Sequence, residues 1–395
     1  MSGAWPLVAL GDIAGPVSRP ISVQAGSPYR TIGVKWWGGG SYERQTIDGS
    51  QTAAKTLSIV KADDLIINKI WVRHGSTAIA TDAVDGCAAS GEFPTFSLNR
   101  ELVEPRWVHW LTQTRNFWSD CAELSRGTSG KNRIKPELFL TIHIPLPSLA
   151  EQRRIVAGIE ELAAKIEEAW GLRRQAVEEA EALSRSAVET VYQGLAARFG
   201  QSTLSDTCTS ITDGDHNTPQ FGESGIKFIF VGNVSSGKLH FNNSKKVAET
   251  YFNSLKPHRV PARGDILYSA VGATLGIATV VDTDELFCFQ RHIAILKPNR
   301  QIVESRYVWH MLNSQTVFEK TWSSTTGTAQ PTVPLRAIRE LPLPLPTISE
   351  QRHIVSYLDD LFAKVYELKR LQTETAAELN AMLPSILDKA FSQEL

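Results

Sequence analysis

The chain contains an internal repeat, and this repeat constrains its fold more than any other feature. The segment IPLPSLAEQRRIVAGIEELAAKI at residues 144–166 returns as LPLPTISEQRHIVSYLDDLFAKV at residues 343–365, an offset of 199 residues. Weaker similarity extends upstream, where VEPRWVHWL at 103–111 resembles VESRYVWHM at 303–311. Self-similarity at a fixed interval indicates duplicated structural units. The sequence therefore predicts two globular domains, each followed by a long helix.

The repeat also sets the predicted boundaries. They are a globular domain at 1–145, a helix at 146–200, a second globular domain at 201–345 and a second helix at 346–395. Short β-rich runs between glycine turns predict a mixed α/β fold for both globular domains. These runs are Leu57–Val60, Ile226–Val231, Asp265–Tyr268 and Ile293–Leu296. One further helix is expected in each domain, over Arg106–Leu124 and Arg306–Trp322.

Both long helices carry a start signal and a heptad pattern. Ser148 and Thr347 are predicted N-caps, since each precedes a glutamate by three residues, as in a capping box. Downstream, apolar positions alternate by four and three residues, which predicts a coiled-coil seam. The seam begins with Ile155, Ile159, Leu162 and Ile166 in the first helix and with Ile354, Leu358, Leu361 and Val365 in the second, and it continues through Leu183 and Met382.

Connectivity predicts how the two helices pair. The first helix must carry the chain to the second domain, and the second helix can bury its seam only by running back along the first. The sequence therefore predicts an antiparallel pair with a domain at each end and a pseudo-two-fold axis. Arg173 and Gln372 interrupt the seam at matched positions. They either fix the register of the pair or extend out of a loose seam.

Composition and charge exclude several classes of protein. The chain is 42% hydrophobic and has a net charge of −1. It has no apolar run of about 18 residues and no secretory signal, so we expect no membrane association and a cytoplasmic location. Four scattered cysteines are expected to be buried and reduced. The two globular segments are each +2, whereas the helical segments are −2 and −3, so any nucleic-acid surface is expected on the globular domains.

The sequence contains no recognisable catalytic motif. There is no GxGxxG, HExxH, GxSxG or Asn/Asp-Pro-Pro-Tyr/Phe sequence, and GTSGK at 127–131 lacks the spacing of a phosphate-binding loop. The cluster Asp213, Asp215 and His216 matches neither calcium nor zinc spacing, and a polar turn or DNA-facing loop is the better interpretation. We therefore predict no catalytic residue and no metal site in this chain.

The domain order and the phrase PLPxxxEQRxIV at the start of each long helix resemble the specificity subunits of type I restriction–modification enzymes. Phrases of the second domain also resemble that family: ITDGDHNTP at 211–219, GDILYSAVGATLG at 264–276, FQRHIAILKP at 289–298 and TGTAQPTV at 326–333. The resemblance covers essentially the whole chain. The first domain departs from it, with Ala62, Asp63 and Asp64 where Gly264 and Asp265 stand in the second.

The resemblance implies a non-catalytic subunit that recognises double-stranded DNA. Each globular domain would be a target-recognition domain that reads one half of a split, asymmetric sequence, and the helices would dock two methyltransferase subunits. Restriction subunits that translocate DNA would complete the assembly. S-adenosylmethionine, ATP and magnesium would be bound by those partner subunits, and no cofactor is expected in this chain.

Candidate DNA contacts are cationic and amide side chains in polar loops, because phosphates attract cations and base edges accept forked or amide groups. They are Lys69, Arg73, His74, Lys131 and Arg133 in the first domain, and His216, Asn217, Gln290, Arg291, His292 and Gln330 in the second. Trp36, Trp37 and Trp71 could stack on bases, but we expect them to be buried.

Two alternatives remain at this stage. The chain could be a two-headed scaffold whose domains bind proteins and whose coiled coil mediates assembly. It could also be the specificity subunit of a combined, type II-like nuclease and methyltransferase. Sequence-dependent retention of duplex DNA would separate the first alternative from a DNA-reading subunit.

Overall fold

The structure of the protein is a computed structural model. It describes residues 5–125, 132–200, 202–217, 219–327 and 330–393. The chain divides into two compact units. The first comprises Met1–Leu172 and Thr373–Leu395, and the second comprises Arg173–Gln372. Both boundaries fall inside the long helices, so each unit contains a globular part and one segment of each helix.

The first unit is a mixed α/β structure. Its strands are β1 (Leu7–Ala9), β2 (Ala14–Val17), β3 (Pro20–Ser22), β4 (Pro28–Val34), β5 (Ser41–Asp48), β6 (Thr56–Ile59), β7 (Leu65–Ile67), β8 (Thr77–Ile79), β9 (Ala88–Ala89), β10 (Thr95–Leu98) and β11 (His143–Pro145). Its helices are α1 (Leu10–Ile13), α2 (Pro105–Leu111), α3 (Arg115–Leu124), α4 (Pro136–Phe139) and the first part of α5 (Leu149–Phe199).

The second unit has the same class of structure. Its strands are β12 (Ser202–Thr203), β13 (Cys208–Asp213), β14 (Phe221–Gly222), β15 (Ile226–Ile229), β16 (Lys245–Val247), β17 (Ile266–Ser269), β18 (Ala278–Val280), β19 (Phe287–Phe289), β20 (Ile293–Pro298) and β21 (Pro342–Leu343). Its helices are α6 (Leu204–Thr207), α7 (Glu249–Ser254), α8 (Ser305–Leu312), α9 (Gln315–Ser323), α10 (Leu335–Arg339) and most of α11 (Ile348–Phe391). The predicted mixed α/β class and the predicted strands are confirmed.

Both units are built on one shared scaffold. A four-stranded sheet has the order β2-β10-β7-β8 in the first unit and β13-β20-β17-β18 in the second, and a two-stranded sheet pairs β1 with β11 and β12 with β21. The remaining sheets differ, with five strands in the order β3-β6-β9-β4-β5 against four in the order β14-β16-β15-β19. The four-stranded scaffold sheet, β2-β10-β7-β8 or β13-β20-β17-β18, is therefore shared by the two units. The second sheet, β3-β6-β9-β4-β5 or β14-β16-β15-β19, differs between them.

The repeated Glu-Gln-Arg phrase fastens the first long helix to its globular part. Gln152 is fully buried, its Oε1 accepts from the Glu104 backbone N–H at 2.8 Å, and its Nε2 donates to the carbonyls of Leu102 at 3.0 Å and Pro147 at 2.8 Å. Arg153 next to it pairs with the Glu104 carboxylate. One buried amide side chain thus forms hydrogen bonds with three backbone groups at the junction of the helix and the globular part.

The second copy repeats this clamp bond for bond. Gln351 is also fully buried, accepts from the Glu304 N–H at 2.9 Å and donates to the carbonyls of Ile302 at 3.0 Å and Pro346 at 2.9 Å. The predicted helix starts are confirmed as well. The hydroxyl of Ser148 accepts from the Glu151 N–H at 3.4 Å, and that of Thr347 accepts from the Glu350 N–H at 3.3 Å.

In each unit the start of one long helix shares a hydrophobic core with the end of the other. In the first unit, Ile155 and Ile159 of α5 lie in one core with Leu387 of α11, and the ring of Phe391 lies 4.7 Å from that of Trp107. In the second, Leu358 of α11 shares a core with Val188, Tyr192 and Leu195 of α5. The two segments in each unit therefore run antiparallel, and the C-terminal turn of α11 packs on the N-terminal globular part, as predicted.

The strict heptad seam is correct for only part of each helix. Ile155, Ile159, Ile166 and Leu358 are buried, and Leu162, Ile354, Leu361 and Val365 are half-buried. Leu183 and Met382, at matched heptad positions, are instead 59% and 47% exposed. The next residues, Ser184 and Leu383, are buried and half-buried instead. An undistorted α-helix has 3.6 residues per turn, so a heptad stripe rotates by roughly 20° per heptad around its surface. From that point each helix packs on a globular core as well as on its partner helix.

The single long helix predicted after β10, and its counterpart after β20, are each broken in two. Thr114 and Ser314 interrupt them, and their hydroxyls accept from the N–H groups of Phe117 and Val317, both at 3.3 Å. A hydroxyl residue that caps a new helix start competes with continuation of the preceding helix. At the polar interruption of the seam, Arg173 donates from its guanidinium to the Gln372 carbonyl.

The cysteines lie mostly in the interior of the structure. Cys87, Cys121 and Cys288 are buried thiols and Cys208 is half-buried. Every helix within the described ranges is either too short or too polar to cross a lipid bilayer.

Candidate nucleic-acid interface

In the first unit, four of the five predicted contact residues come together around the loop that follows β7. The Lys69 N–H donates to the Glu92 carbonyl at 3.0 Å, and its carbonyl accepts from the Ile134 N–H at 3.0 Å. These bonds place Lys69 beside Arg133, which pairs with the Glu92 carboxylate at 3.1 Å. Arg73 donates to the Asn132 carbonyl at 3.3 Å, and His74 follows it in the chain. Lys131 lies outside the described residues.

The charges of this cluster are only partly neutralised. Arg133 is held by Glu92, but Lys69 and Arg73 have no carboxylate partner among the residues that the structure describes. The Arg73 guanidinium instead lies 5.9 Å from the centre of the Trp71 ring. Cations without partner carboxylates are available to phosphates, so this loop has the chemistry of a DNA-backbone contact.

The expected burial of the nearby tryptophans was wrong for two of the three. Trp36 and Trp37 are 48% and 60% exposed, whereas Trp71 is half-buried. Both lie at the tip of the β4–β5 hairpin, outside the sheet core, because the glycines that follow turn the chain back into β5. Trp36 and Trp37 also contact His74, with ring centroids 5.9 and 5.4 Å away. The exposed rings and the cationic loop therefore form one surface.

In the second unit, four of the six predicted residues line one cavity of about 370 Å³. They are His216, Arg291, His292 and Gln330, and the cavity lies where β20 begins and β17 ends. Backbone hydrogen bonds join three of the segments that line the cavity. The Ala270 N–H donates to the His292 carbonyl at 3.1 Å, and the Val333 N–H donates to the Ala270 carbonyl at 2.9 Å. Asn217 is exposed beside His216, and Gln290 forms a backbone bridge with Asp215, so neither lines the cavity.

Two aspartates at this cavity, of which Asp213 lines it, are neutralised by an arginine that the sequence did not indicate. Arg259 contacts Asp215 at 3.1 Å and Asp213 at 3.4 Å, and His216 Nε2 lies 2.8 Å from the second oxygen of Asp213. Burial raises the pKa of Tyr251 to about 12, so its hydroxyl remains protonated and donates to Asp215 at 3.4 Å. These contacts give the two aspartates a structural role and reduce their repulsion of a phosphate.

Sequence reasoning also missed two contacts between a lysine and an aromatic ring, one on each face of the β14-β16-β15-β19 sheet. The Lys245 ammonium lies 4.4 Å from the centre of the Phe221 ring, and the Lys227 ammonium lies 4.3 Å from that of Phe241. Lys227 is also paired with Glu285, whereas Lys245 and Lys246 are exposed on β16. The signal was present as two adjacent lysines among phenylalanines, a pattern that suits a nucleic-acid backbone.

Part of the chain matches a known protein family. Residues 203–379 match the family model of the type I restriction modification DNA specificity domain. The specificity subunit of the type I restriction enzyme EcoBI from Escherichia coli is 29% identical over 175 residues, which are 44% of this chain and 36% of that protein. The matched region therefore spans about a third of that curated relative.

Solved structures are similar over the whole chain. The HsdS subunit from Thermoanaerobacter tengcongensis superposes with a TM-score of 0.62 at 25% identity, covering 100% of this chain and 98% of the other. A chain from a study of complex assembly and conformational transition of the type I R-M system has a TM-score of 0.73 at 24% identity, covering 100% and 99%. The latter likeness establishes a shared fold.

Proposed function

Because this chain carries a type I restriction modification DNA specificity domain and is similar to specificity subunits along its length, we propose that it reads a split, asymmetric DNA sequence, one half with each unit. The observation that carries the proposal is the contrast between the two units. Their scaffold sheets, clamps and helices are repeated, but their second sheets and contact clusters differ. Two different reading surfaces on equivalent supports suit a target with two unlike halves.

The clusters suggest how reading is divided. Lys69 and Arg73 in the first unit, and the exposed Lys245 in the second, are assigned to phosphates, which fix orientation without conveying sequence. Arg291, His292 and Gln330 line a concave surface and have donors and acceptors that base edges can match. No chemical step is assigned to this chain, in keeping with relatives that are named specificity subunits.

The long helices are proposed to dock two copies of one methyltransferase subunit. Exposed apolar side chains recur at repeat-matched positions: Leu172 and Leu371 are 59% and 46% exposed, and Leu183 and Met382 are 59% and 47% exposed. Matched apolar residues on two equivalent helices suit two identical partners. The methyltransferase would supply S-adenosylmethionine, and a restriction subunit that uses ATP and magnesium would join the complete assembly.

The experiment is a selection from random duplexes with the chain bound to its methyltransferase. We expect the wild type to enrich a two-part sequence. Arg291→Ala and His292→Ala should relax only one half of it, and Lys69→Ala should weaken binding to all sequences while reducing the salt slope by about 1. Lys165→Ala, on an exposed helix face, is the control. Retention of no sequence by the wild type would favour the protein-binding scaffold.

A further inference from the structure

The tip of the β4–β5 hairpin, residues 35–40, is built to hold two tryptophans in solvent. The Lys35 N–H donates to the Gly40 carbonyl at 2.9 Å and the Gly39 N–H to the Trp36 carbonyl at 3.1 Å, which closes the turn. The Trp37 N–H donates to the His74 carbonyl at 2.7 Å, and Gly38 donates to the Gly75 carbonyl at 3.0 Å. The tip is therefore bonded to the loop that carries Arg73 and His74.

The backbone of this tip is strained at the exposed ring. Trp37 has φ of 57°, a left-handed conformation that is uncommon for a bulky residue. Gly75, opposite it, has φ of +71°, and a Cβ there would lie 2.7 Å from the Trp118 ring, so the supporting loop requires glycine. Strained conformations of this kind persist where the surroundings enforce them, and they cluster at binding sites. Here the strain holds an indole that is 60% exposed.

The rings support one another beneath the exposed surface. Trp36 packs on Trp71 with centroids 4.7 Å apart, and Trp37 contacts His74 at 5.4 Å and Trp118 at 5.6 Å. The tryptophans therefore keep little rotamer freedom to lose when they meet a partner, and their free faces form an apolar surface of the kind that marks an interaction site.

Charge indicates the class of partner. Arg73 lies 5.9 Å from the Trp71 ring, Lys35 precedes Trp36 in the chain, and Lys69 belongs to the loop that carries Trp71. None of the three cations pairs with a carboxylate within the described ranges, while Glu43 on β5 is engaged by Arg30. An apolar surface surrounded by unpaired cations is complementary to stacked bases flanked by phosphates. The tip also belongs to the five-stranded sheet, which differs between the two units, as a target-specific element should.

We propose that the β4–β5 tip is a wedge that places Trp37, supported by Trp36, against an unstacked base step in the half of the target read by the first unit. This inference rests on the proposed DNA-reading function and adds to it a distortion of the duplex. Lys35, Lys69 and Arg73 hold the flanking phosphates while the indole replaces lost base stacking. The wedge makes the DNA easier to bend at this step.

The test uses the chain assembled with its methyltransferase and duplexes of the selected target, with 2-aminopurine substituted in turn along the first half. We expect 2-aminopurine fluorescence to rise several-fold at one step with the wild type and not with Trp37→Ala. Trp37→Ala should weaken target binding about 10- to 100-fold with an unchanged salt slope, because stacking releases no counterions. Trp37→Phe should retain part of the 2-aminopurine signal and part of the target affinity. Trp322→Ala, at an exposed tryptophan of the second unit, should leave the signal in the first half of the target unchanged.

Several outcomes would overturn the proposal. Unchanged affinity and unchanged 2-aminopurine signal in Trp37→Ala, with sequence selection intact, would remove the wedge and leave the proposed function standing. Loss of methyltransferase binding by a folded Trp37→Ala chain, with DNA affinity of the assembled fraction unchanged, would show that the tip docks protein. A wild type that selects no sequence would overturn both the wedge and the DNA-reading function.

Discussion

At the scale of single residues, the two buried glutamines explain why the Glu-Gln-Arg phrase is repeated. Each amide joins a helix start to the backbone that precedes α2 or α8, through one accepted and two donated hydrogen bonds. The phrase could be recognised from sequence as a helix start. Its clamping role could not, because two of the three partners of each glutamine lie 47 to 50 residues upstream and only the folded chain brings them together.

Replacing these glutamines tests the clamp. Gln152→Leu or Gln351→Leu should lower the free energy of unfolding by about 2–4 kcal/mol, since each removes three hydrogen bonds made by a fully buried amide. Chemical denaturation measures this change. Gln175→Leu is the control, because Gln175 is exposed on α5, the helix of Gln152, and its side-chain amide donates to Glu179 on the next turn. A loss in Gln351→Leu no greater than that in Gln175→Leu would contradict the clamp.

A buried histidine predicts how stability depends on pH. Burial lowers the pKa of His310 to about 4, although Asp359 lies 2.7 Å from its Nε2 and opposes the shift. Its Nδ1 has no hydrogen-bond partner among the described residues, so a proton added there would lack an acceptor. The folded state therefore holds neutral His310, whereas the unfolded chain takes up a proton near the ordinary pKa of about 6.5.

The sign follows from this difference in proton uptake. Neutral His310 contributes up to about 3 kcal/mol to the free energy of unfolding. This contribution is fully present above about pH 6.5 and is lost as the pH falls toward 4. Chemical denaturation between pH 7 and 4 should show that the free energy of unfolding declines less steeply with falling pH in His310→Gln than in the wild type. The glutamine keeps a donor toward Asp359 and does not titrate. Identical slopes in wild type and variant would show that His310 is protonated in the folded state.

At the scale of elements, the start and direction of the long helices were predictable and the far part of the seam was not. The heptad pattern placed Leu183 and Met382 inside, because both are apolar and correctly spaced. They are exposed because the helices drift and begin to pack on globular cores that a helical pattern cannot represent. The broken helices have a similar origin, since Thr114 and Ser314 act as caps only in their folded context.

Aspartate substitutions separate the buried seam from the exposed positions. Ile159→Asp and Leu358→Asp place a carboxylate at sites 1% and 0% exposed and should lower the free energy of unfolding by about 3 kcal/mol or more. Leu183→Asp and Met382→Asp should leave it nearly unchanged. In size-exclusion with the methyltransferase, the latter two should reduce complex formation, because they alter the proposed docking surface. An equal loss in the free energy of unfolding for all four variants would show that the strict heptad seam predicted from the sequence is correct.

At the scale of the whole molecule, the repeat made the architecture predictable from sequence, and the repeated phrases indicated which proteins the chain resembles. The mixed α/β fold with long helices and the resemblance to type I specificity subunits are confirmed. The contact surfaces were less accessible. Arg259 and the exposed Trp37 belong to the sheets and loops that differ between the units, where the repeat gives no guide. The division of the target between two units remains the central proposal.

Methylated-motif sequencing of a host carrying a lengthened chain tests that proposal most directly. Four residues are added to both helices, between Leu172 and Arg173 and between Gln372 and Thr373, where the chain passes from one unit to the other. Each helix grows by about 6 Å and turns by about 40°, so the two half-sites should keep their bases while the gap changes by roughly two base pairs. A four-residue insertion between Thr283 and Asp284, in an exposed loop, should alter neither. An altered half-site with an unchanged gap in the lengthened chain would contradict the proposal that each unit reads one half-site and that the helices set the gap.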